Sequence, residues 1–265
     1  MNPAYVPIKI LAALAAIFLT TSCAPSVISP PGPPLNHQEI NRVAAVIDAQ
    51  NQAVRTLFSS GSISLKGRRG ELDADVLMVA ARDPYRIKIE ITHPWGRPLA
   101  HVLINDAGLR FLSFPEKRLY VGQLGDPDLS RHLTVPLDDA VLWSVVRAYP
   151  VPPPYTAAIS RKAHQITLLT QSGKEQAVIH MGPQDQYPAS LFFPRQETEV
   201  TFSDFDHQGK IMYARKIRVN GERGNKLSLR LKTMVFNEPL APEIFKLNIP
   251  ADVTIQPLSE GGGRP

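Results

Sequence analysis

From Gly61 onward, apolar and polar residues alternate in short runs, and this period of two decides the fold class before anything else. The clearest run is "YRIKIEIT", in which Tyr85, Ile87, Ile89 and Ile91 alternate with Arg86, Lys88, Glu90 and Thr92. A strand with one apolar and one polar face belongs to an antiparallel sheet that covers a core on one side and meets water on the other. Similar runs precede it ("GSISLKG", "ELDADVLMVA") and follow it ("LAHVLIN", "LRFLSF", "RLYVG"), with turn residues between them. They resume at "HQITLLTQSGKEQAVIHM", "LFFPRQETEVTFSDFDHQGKIMYARKIRV" and "NKLSLRLKTMVF". Many short strands joined by hairpins predict one large curved antiparallel sheet.

Two stretches break the alternation. In "NHQEINRVAAVIDAQNQAVRTLFSS", Ile40, Val43, Ala44, Ile47, Val54, Leu57 and Phe58 fall at helical spacing, which predicts one amphipathic helix across the whole stretch. Asn36 can cap it, with Glu39 three residues on completing a capping box. In "VPLDDAVLWSVVRAYPVPPP", Leu137, Val141, Leu142, Val145, Val146 and Tyr149 make a second stripe, and Trp143 lies off it. Asp138 and Asp139 suit the positive N-terminal end of that helix, and the proline run ends it. The expected class is α+β: a curved antiparallel half-barrel with amphipathic helices covering its open, concave side.

The N-terminus predicts export. Lys9 and the free amine precede the uninterrupted apolar run "ILAALAAIFL", Ile10 to Leu19. A spanning helix needs about 20 apolar residues, so this run suits a signal peptide over residues 1–22. Cys23 is the only cysteine, which excludes an internal disulfide. "LTTSC" resembles the lipobox of bacterial lipoproteins, which implies lipidation of Cys23 after cleavage. Ala24 stands where Asp marks inner-membrane retention in such proteins, so the resemblance implies the periplasmic face of the outer membrane. Residues 23–35 read as a Pro-rich tether, 36–257 as one folded domain and 258–265 as a frayed tail. At ~3.1 Å per residue the tether reaches roughly 40 Å.

Catalytic patterns match this chain only weakly. The formal charge of +5 is spread out, and no basic block with interleaved aromatics marks nucleic acid as a partner. "GSIS" lacks the spacing of a nucleophile elbow, and the seven histidines are scattered. "DFDHQG", Asp204 to Gly209, opens like a calcium loop, but Arg215 stands where the bidentate Glu belongs, so a hairpin turn explains it better. "KGRRG" reads as a solvated turn that could touch anionic headgroups. The expectation is a binding or transfer protein without metal, cofactor or catalytic residues, working as a monomer.

One turn stands apart. "DPYRIKIEITHPWGRPLAHVLIN" carries a tryptophan in a hairpin, and its indole either folds back as core or touches something apolar outside. Together with "LFSSGSISLKG", "VPLDDAVLWSVV" and "EIFKLNIPADV", in that order, this segment resembles the LolA/LolB family, on the side of its outer-membrane lipoprotein receptors. The resemblance implies a half-open barrel with a helical lid over a cavity for acyl chains, which receives lipidated proteins from a LolA-like periplasmic carrier. It further implies that the turn Pro94, Trp95, Gly96 is the membrane-inserting tip, with Trp95 where the family carries Leu. Candidate cavity residues are Ile87, Ile89, Ile91, Val102, Ile104, Leu142, Val145 and Val146. Two alternatives stay open: a different lipid or glycolipid as ligand, and a docking module in an envelope complex.

Overall fold

The alternating runs pair with their neighbours in sequence. A computed structural model describes residues 32–67, 70–124, 139–182 and 187–258. The expected signal peptide, Cys23, most of the tether, Arg68, Arg69, Leu137, Asp138 and the tail beyond Leu258 lie outside the described residues. Pro33–Pro265 form a compact unit of their own.

Helix α1 (His37–Gln52) leads into a meander of β1 (Thr56–Gly67), β2 (Gly70–Arg82), β3 (Tyr85–Thr92), β4 (Pro98–Asn105), β5 (Gly108–Ser113) and β6 (Arg118–Gly122). Helix α2 (Asp139–Arg147) follows. A second series comprises β7 (Ala157–Ile159), β8 (Gln165–Leu169), β9 (Glu175–Met181), β10 (Pro188–Phe193), β11 (Thr198–Gln208), β12 (Ile211–Asn220) and β13 (Lys226–Phe236). The short β14 (Thr254–Pro257) comes last.

The fourteen strands of the described residues form one sheet, ordered β14-β6-β5-β4-β3-β2-β1-β13-β12-β11-β10-β9-β8-β7. Every neighbouring pair is antiparallel except β14 with β6. The sheet is open, with β14 and β7 at its edges. The two series meet where β1 pairs with β13, and a register shift at Ser60/Gly61 marks that seam. Gly61 is required there, because a Cβ would collide with the Arg230 carbonyl oxygen.

Helix α1 starts as expected. The Asn36 side chain accepts the Glu39 N–H at 3.0 Å, and the Glu39 carboxylate accepts the Asn36 N–H at 2.7 Å. It ends sooner than expected: Val54, Leu57 and Phe58 are not helical. Leu57 pairs instead with Phe236 on one side and Ala80 on the other, so two full ladders outbid one more helical turn. Asn237 fixes the corner by accepting the Arg55 N–H and donating to the Ala53 carbonyl, each at 2.8 Å.

Both helices pack in the main core on the apolar face of the sheet. Ile40, Val43 and Ile47 of α1 are buried there, and so is every residue of α2 from Val141 to Arg147. Trp143, off the apolar stripe in sequence, is buried too, 5.6 Å from the Tyr85 ring. The polar face is not wet throughout. Val79, Ala81 and Leu103 are buried under Phe245, which a single 3-10 turn (Pro242–Phe245) lays across them. Arg86 covers the Phe245 ring at 4.5 Å. Leu258, assigned in sequence to the tail, is buried and donates its N–H to the Val121 carbonyl at 2.9 Å.

Candidate functional site

The site is an apolar hollow between the sheet and α2. Its walls come from strands whose inward residues are apolar at every second position: Ile63, Val76, Met78, Ile89, Ile91 and Val102 border it, followed by Ile104, Leu109 and Phe111. Leu142, Val145 and Val146 supply the helical side, and Leu227 and Leu229 of β13 close the flank. Its volume is about 400 Å³, within the roughly 300–1,000 Å³ typical of small-ligand pockets. Ser113 is the one polar residue in this lining among the described residues. A wall of this composition offers dispersion contacts and exclusion of water, and no acid, base or ligand for a metal.

The hollow grades from closed to open along the strands. Ile104, Leu109, Leu142 and Val146 are buried. Leu65, Ile91 and Leu99 are half-buried, and Leu72 is 38% exposed. These four lie at one end of the sheet, where β1 turns into β2 and β3 into β4. Of the sequence candidates, Ile89, Ile91, Val102, Ile104, Leu142, Val145 and Val146 border the hollow and Ile87 does not. Ile87 is fully buried between its ladder partners Ala80 and Ile104. Two residues back along the strand, the Tyr85–Trp143 ring pair fills the interior. Burial holds the Tyr85 hydroxyl well above its ordinary pKa, with the Asp139 carboxylate adding to the effect.

At the open end the β3–β4 hairpin turns through Pro94, Trp95 and Gly96. The Gly96 N–H donates to the His93 carbonyl at 2.7 Å, and the His93 N–H donates to the Arg97 carbonyl at 2.8 Å. This is a three-residue loop ending on a left-handed residue, and Gly96 supplies the positive φ of 86°. Trp95 is 80% exposed. Its ring stacks on His93 at 3.7 Å and 28°. The indole therefore lies outside the core, stacked on His93 at the end of the hairpin.

Behind the hollow sits a buried cation that sequence reading missed. Arg147 is fully buried and donates to the carbonyls of Met212 at 2.9 Å and Gln50 at 3.1 Å. Its guanidinium faces the rings of Phe236 at 4.8 Å and Tyr149 at 5.3 Å. Burial draws its pKa down to about 10, which still leaves it charged at neutral pH. Burial likewise pushes the Tyr149 hydroxyl up to about 12, against the pull of Arg147. The available signal was a lone Arg at the end of a stripe otherwise entirely apolar.

On the polar face, His180, Ser190 and Glu199 come together. Ser190 Oγ lies 3.0 Å from His180 Nδ1 and donates to Glu199 at 2.9 Å. The serine is the middle member, bonded directly to the carboxylate. A Ser-His-acid triad has the histidine in the middle, and here the serine gives its proton to Glu199, so the three form a cross-strand ladder. In the other half of the sheet, on β3 and β4, burial holds the pKa of His101 below its ordinary value, opposed by Glu90 and assisted by Lys88. Among the described residues no group of His, Cys, Asp and Glu is placed to hold a metal ion, and no helix is long and apolar enough to cross a membrane.

An open antiparallel sheet with a helix-covered apolar hollow is the class of protein that fold and site define. No protein-family model matches the chain, and no curated protein matches it in sequence. Solved structures do resemble it in fold. A domain from Vibrio parahaemolyticus assigned to outer-membrane lipoprotein sorting covers 79% of this chain and 97% of its own, at 10% identity and a TM-score of 0.45. A LolA superfamily protein from Nitrosomonas europaea covers 77% and 97%, at 11% identity and 0.44. A DUF1329 family protein from Desulfovibrio piger covers 78% and 97%, at 12% identity and 0.44.

Proposed function

We propose that this chain is a lipid-anchored protein of the outer membrane, facing the periplasm, whose hollow receives the acyl chains of lipidated proteins and passes them to the membrane. The anchor is Cys23, reached through the Pro-rich tether. The sheet acts as a half-barrel and α2 as its cover. The observation that carries this reading is the shared position of the hollow's open end and the exposed Trp95 turn.

Energetics explain why both features are needed. Each methylene exposed to water costs ~0.8 kcal/mol, so a long acyl chain costs on the order of 10 kcal/mol. A chain in transit must stay covered from donor to bilayer. A hollow that opens beside a membrane-seeking side chain shortens the exposed path. Tryptophan suits that tip, since its ring buries apolar area while its N–H stays among polar headgroups. The donor is a LolA-like periplasmic carrier. Gradual loss of apolar contact toward Leu72 and Leu99 favours release over tight retention.

Controlled depletion of the protein, followed by fractionation of the envelope, tests the reading. Lipidated proteins should accumulate in the periplasm or inner membrane. Normal sorting after clean deletion would exclude the transfer role. Native mass spectrometry of residues 33–265 then separates acyl chains of lipoproteins from another lipid or glycolipid, and an empty hollow under all conditions would favour a docking module.

A further inference from the structure

The polar face carries a second depression at the same end of the sheet, of about 380 Å³. Its floor is made of small hydroxyl residues, Ser62 and Ser64 on β1 and Ser228 on β13. Register fixes what stands beside them. Ser62 lies between Asp75 on β2 and Arg230 on β13, and Arg230 pairs with Lys216 on β12. One row on, Ser64 lies between Asp73 and Ser228, and Ser228 pairs with Arg218. One bank is acidic, the other basic, and serines separate them.

The banks do not neutralise each other. Adjacent strands are about 4.8 Å apart, so two to three strands place the banks on the order of 10–14 Å apart at the backbone. Asp75 is held by Lys232 at 3.6 Å and Lys216 by Asp204 at 3.0 Å. Among the described residues Asp73 and Arg218 form no ion pair, and Arg230 acts on the Asp204 carboxylate without pairing with it. A lone anion in this trough faces two carboxylates, and a lone cation faces two guanidiniums. A zwitterion with both charges on a short spacer satisfies both banks. Guanidiniums match phosphate oxygens, carboxylates accept N–H from a primary ammonium, and serine hydroxyls serve either.

We propose that this trough binds the phosphoethanolamine headgroup of a membrane lipid. The proposal rests on the reading that the Trp95 turn meets the membrane. Pro94 of that turn is part of the trough wall, and its neighbour Trp95 is 80% exposed. A bilayer touched by the indole therefore brings headgroups to the serine floor. That adjacency favours a lipid over a free small molecule.

The test uses residues 33–265, which form their own compact unit, and two vesicle types matched in charge. One mixes phosphatidylethanolamine with phosphatidylglycerol, the other phosphatidylcholine with phosphatidylglycerol in the same ratio. A trimethylammonium cannot donate hydrogen bonds, so binding should be about tenfold tighter to the ethanolamine vesicles. Arg218→Glu with Arg230→Glu should abolish that preference, and so should Asp73→Asn with Asp75→Asn. A thermal melt checks that each pair folds, and Ser228→Trp, which fills the floor, is the second variant if one does not. Equal binding to both vesicles, or a preference that survives all the variants, overturns the proposal. Binding of soluble glycerophosphoethanolamine without a vesicle preference overturns the lipid source. Uptake of a fluorescent fatty acid is measured alongside. Uptake without headgroup preference means the trough fails alone, and preference without uptake means the transfer function fails alone.

Discussion

The guanidinium of Arg147 donates to the backbone carbonyl of Gln50, so one buried cation joins the C-terminal turns of α1 and α2. Both helix ends carry partial negative charge there, which compensates a cation that has no carboxylate beside it among the described residues. The second bond, to Met212, extends the joint to β12. Gln50 adds two more, accepting the Met212 N–H at 2.8 Å and donating to the Lys210 carbonyl at 2.9 Å. Arg147→Met keeps the apolar stem and leaves these carbonyls unsatisfied. It should cost roughly 2–4 kcal/mol, measured by chemical denaturation of residues 33–265. A loss below about 0.5 kcal/mol, the range of an ordinary surface change, would show that the joint is dispensable.

This joint also marks where sequence reading stops. Strand positions were legible because period two survives in almost every run: Ile63, Ile89 and Val102 each face inward as their alternation requires. The capping box at Asn36 was equally plain, since it is written in four residues. Partners distant in sequence were not. Arg147 reads as a helix-terminal surface residue until Gln50, Met212 and Phe236 converge on it from three other elements. Leu57 and Phe58 continued a helical spacing by coincidence, and only pairing with Phe236 and Val235 decided for strand. Phe111, Leu72 and Leu227 border the hollow, yet their alternation is no different from that of residues that pack solidly. Periodicity tells which face is apolar, and the fit of helix to sheet decides which part of that face stays unfilled.

The C-terminal strand should loosen slightly toward both pH extremes, ahead of the rest of the sheet. Lys117 and Asp252 form an ion pair at 2.7 Å, and the Thr254 N–H donates to the Lys117 carbonyl at 3.0 Å, so the pair guards the entry to β14. Lys117 holds the Asp252 carboxyl below its ordinary value, chiefly through their hydrogen bond. A lowered folded pKa means this stabilisation is complete above the unfolded carboxylate value and lost as pH falls through the folded one. Asp252 raises the Lys117 pKa by the same bond, so at the alkaline end the contribution goes as pH rises through that raised value. Hydrogen exchange at Thr254, Ile255 and Gln256 should accelerate in acid ahead of β4 and β5, and Lys117→Ala should remove the acid step. Uniform acceleration across the sheet would contradict this.

Trp95→Glu separates a membrane tip from a core residue. An 80% exposed side chain contributes little to packing, so the change should leave stability within about 0.5 kcal/mol. Vesicle association should fall at least about tenfold, because a charge replaces a ring suited to the interface. Trp95→Phe, which keeps the apolar area and loses the N–H, should fall between the two. Tryptophan emission adds a direct reading: a blue shift on mixing with vesicles is expected in the parent and in Trp143→Phe, where Trp95 is the only indole left. A large fall in melting temperature for Trp95→Glu would place the ring in the fold.

Filling the hollow is the sharpest test of what it is for. Val102 borders it from β4, as Val145 does from α2, and is only half-buried. In a tightly packed interior, Val→Phe forces strain of typically 1–3 kcal/mol. Here the added ring has about 400 Å³ of space to enter. Val102→Phe should therefore be neutral or slightly stabilising in denaturation, since it buries new apolar surface without displacing neighbours. The same variant should bind a fluorescent fatty acid at least about tenfold more weakly, which is ~1.4 kcal/mol. Stability and ligand uptake then move independently, which only a real void permits. If Val102→Phe instead unfolds the domain, the space is closed in solution and acyl chains must travel elsewhere. If it leaves fatty-acid binding unchanged, the hollow is not the site.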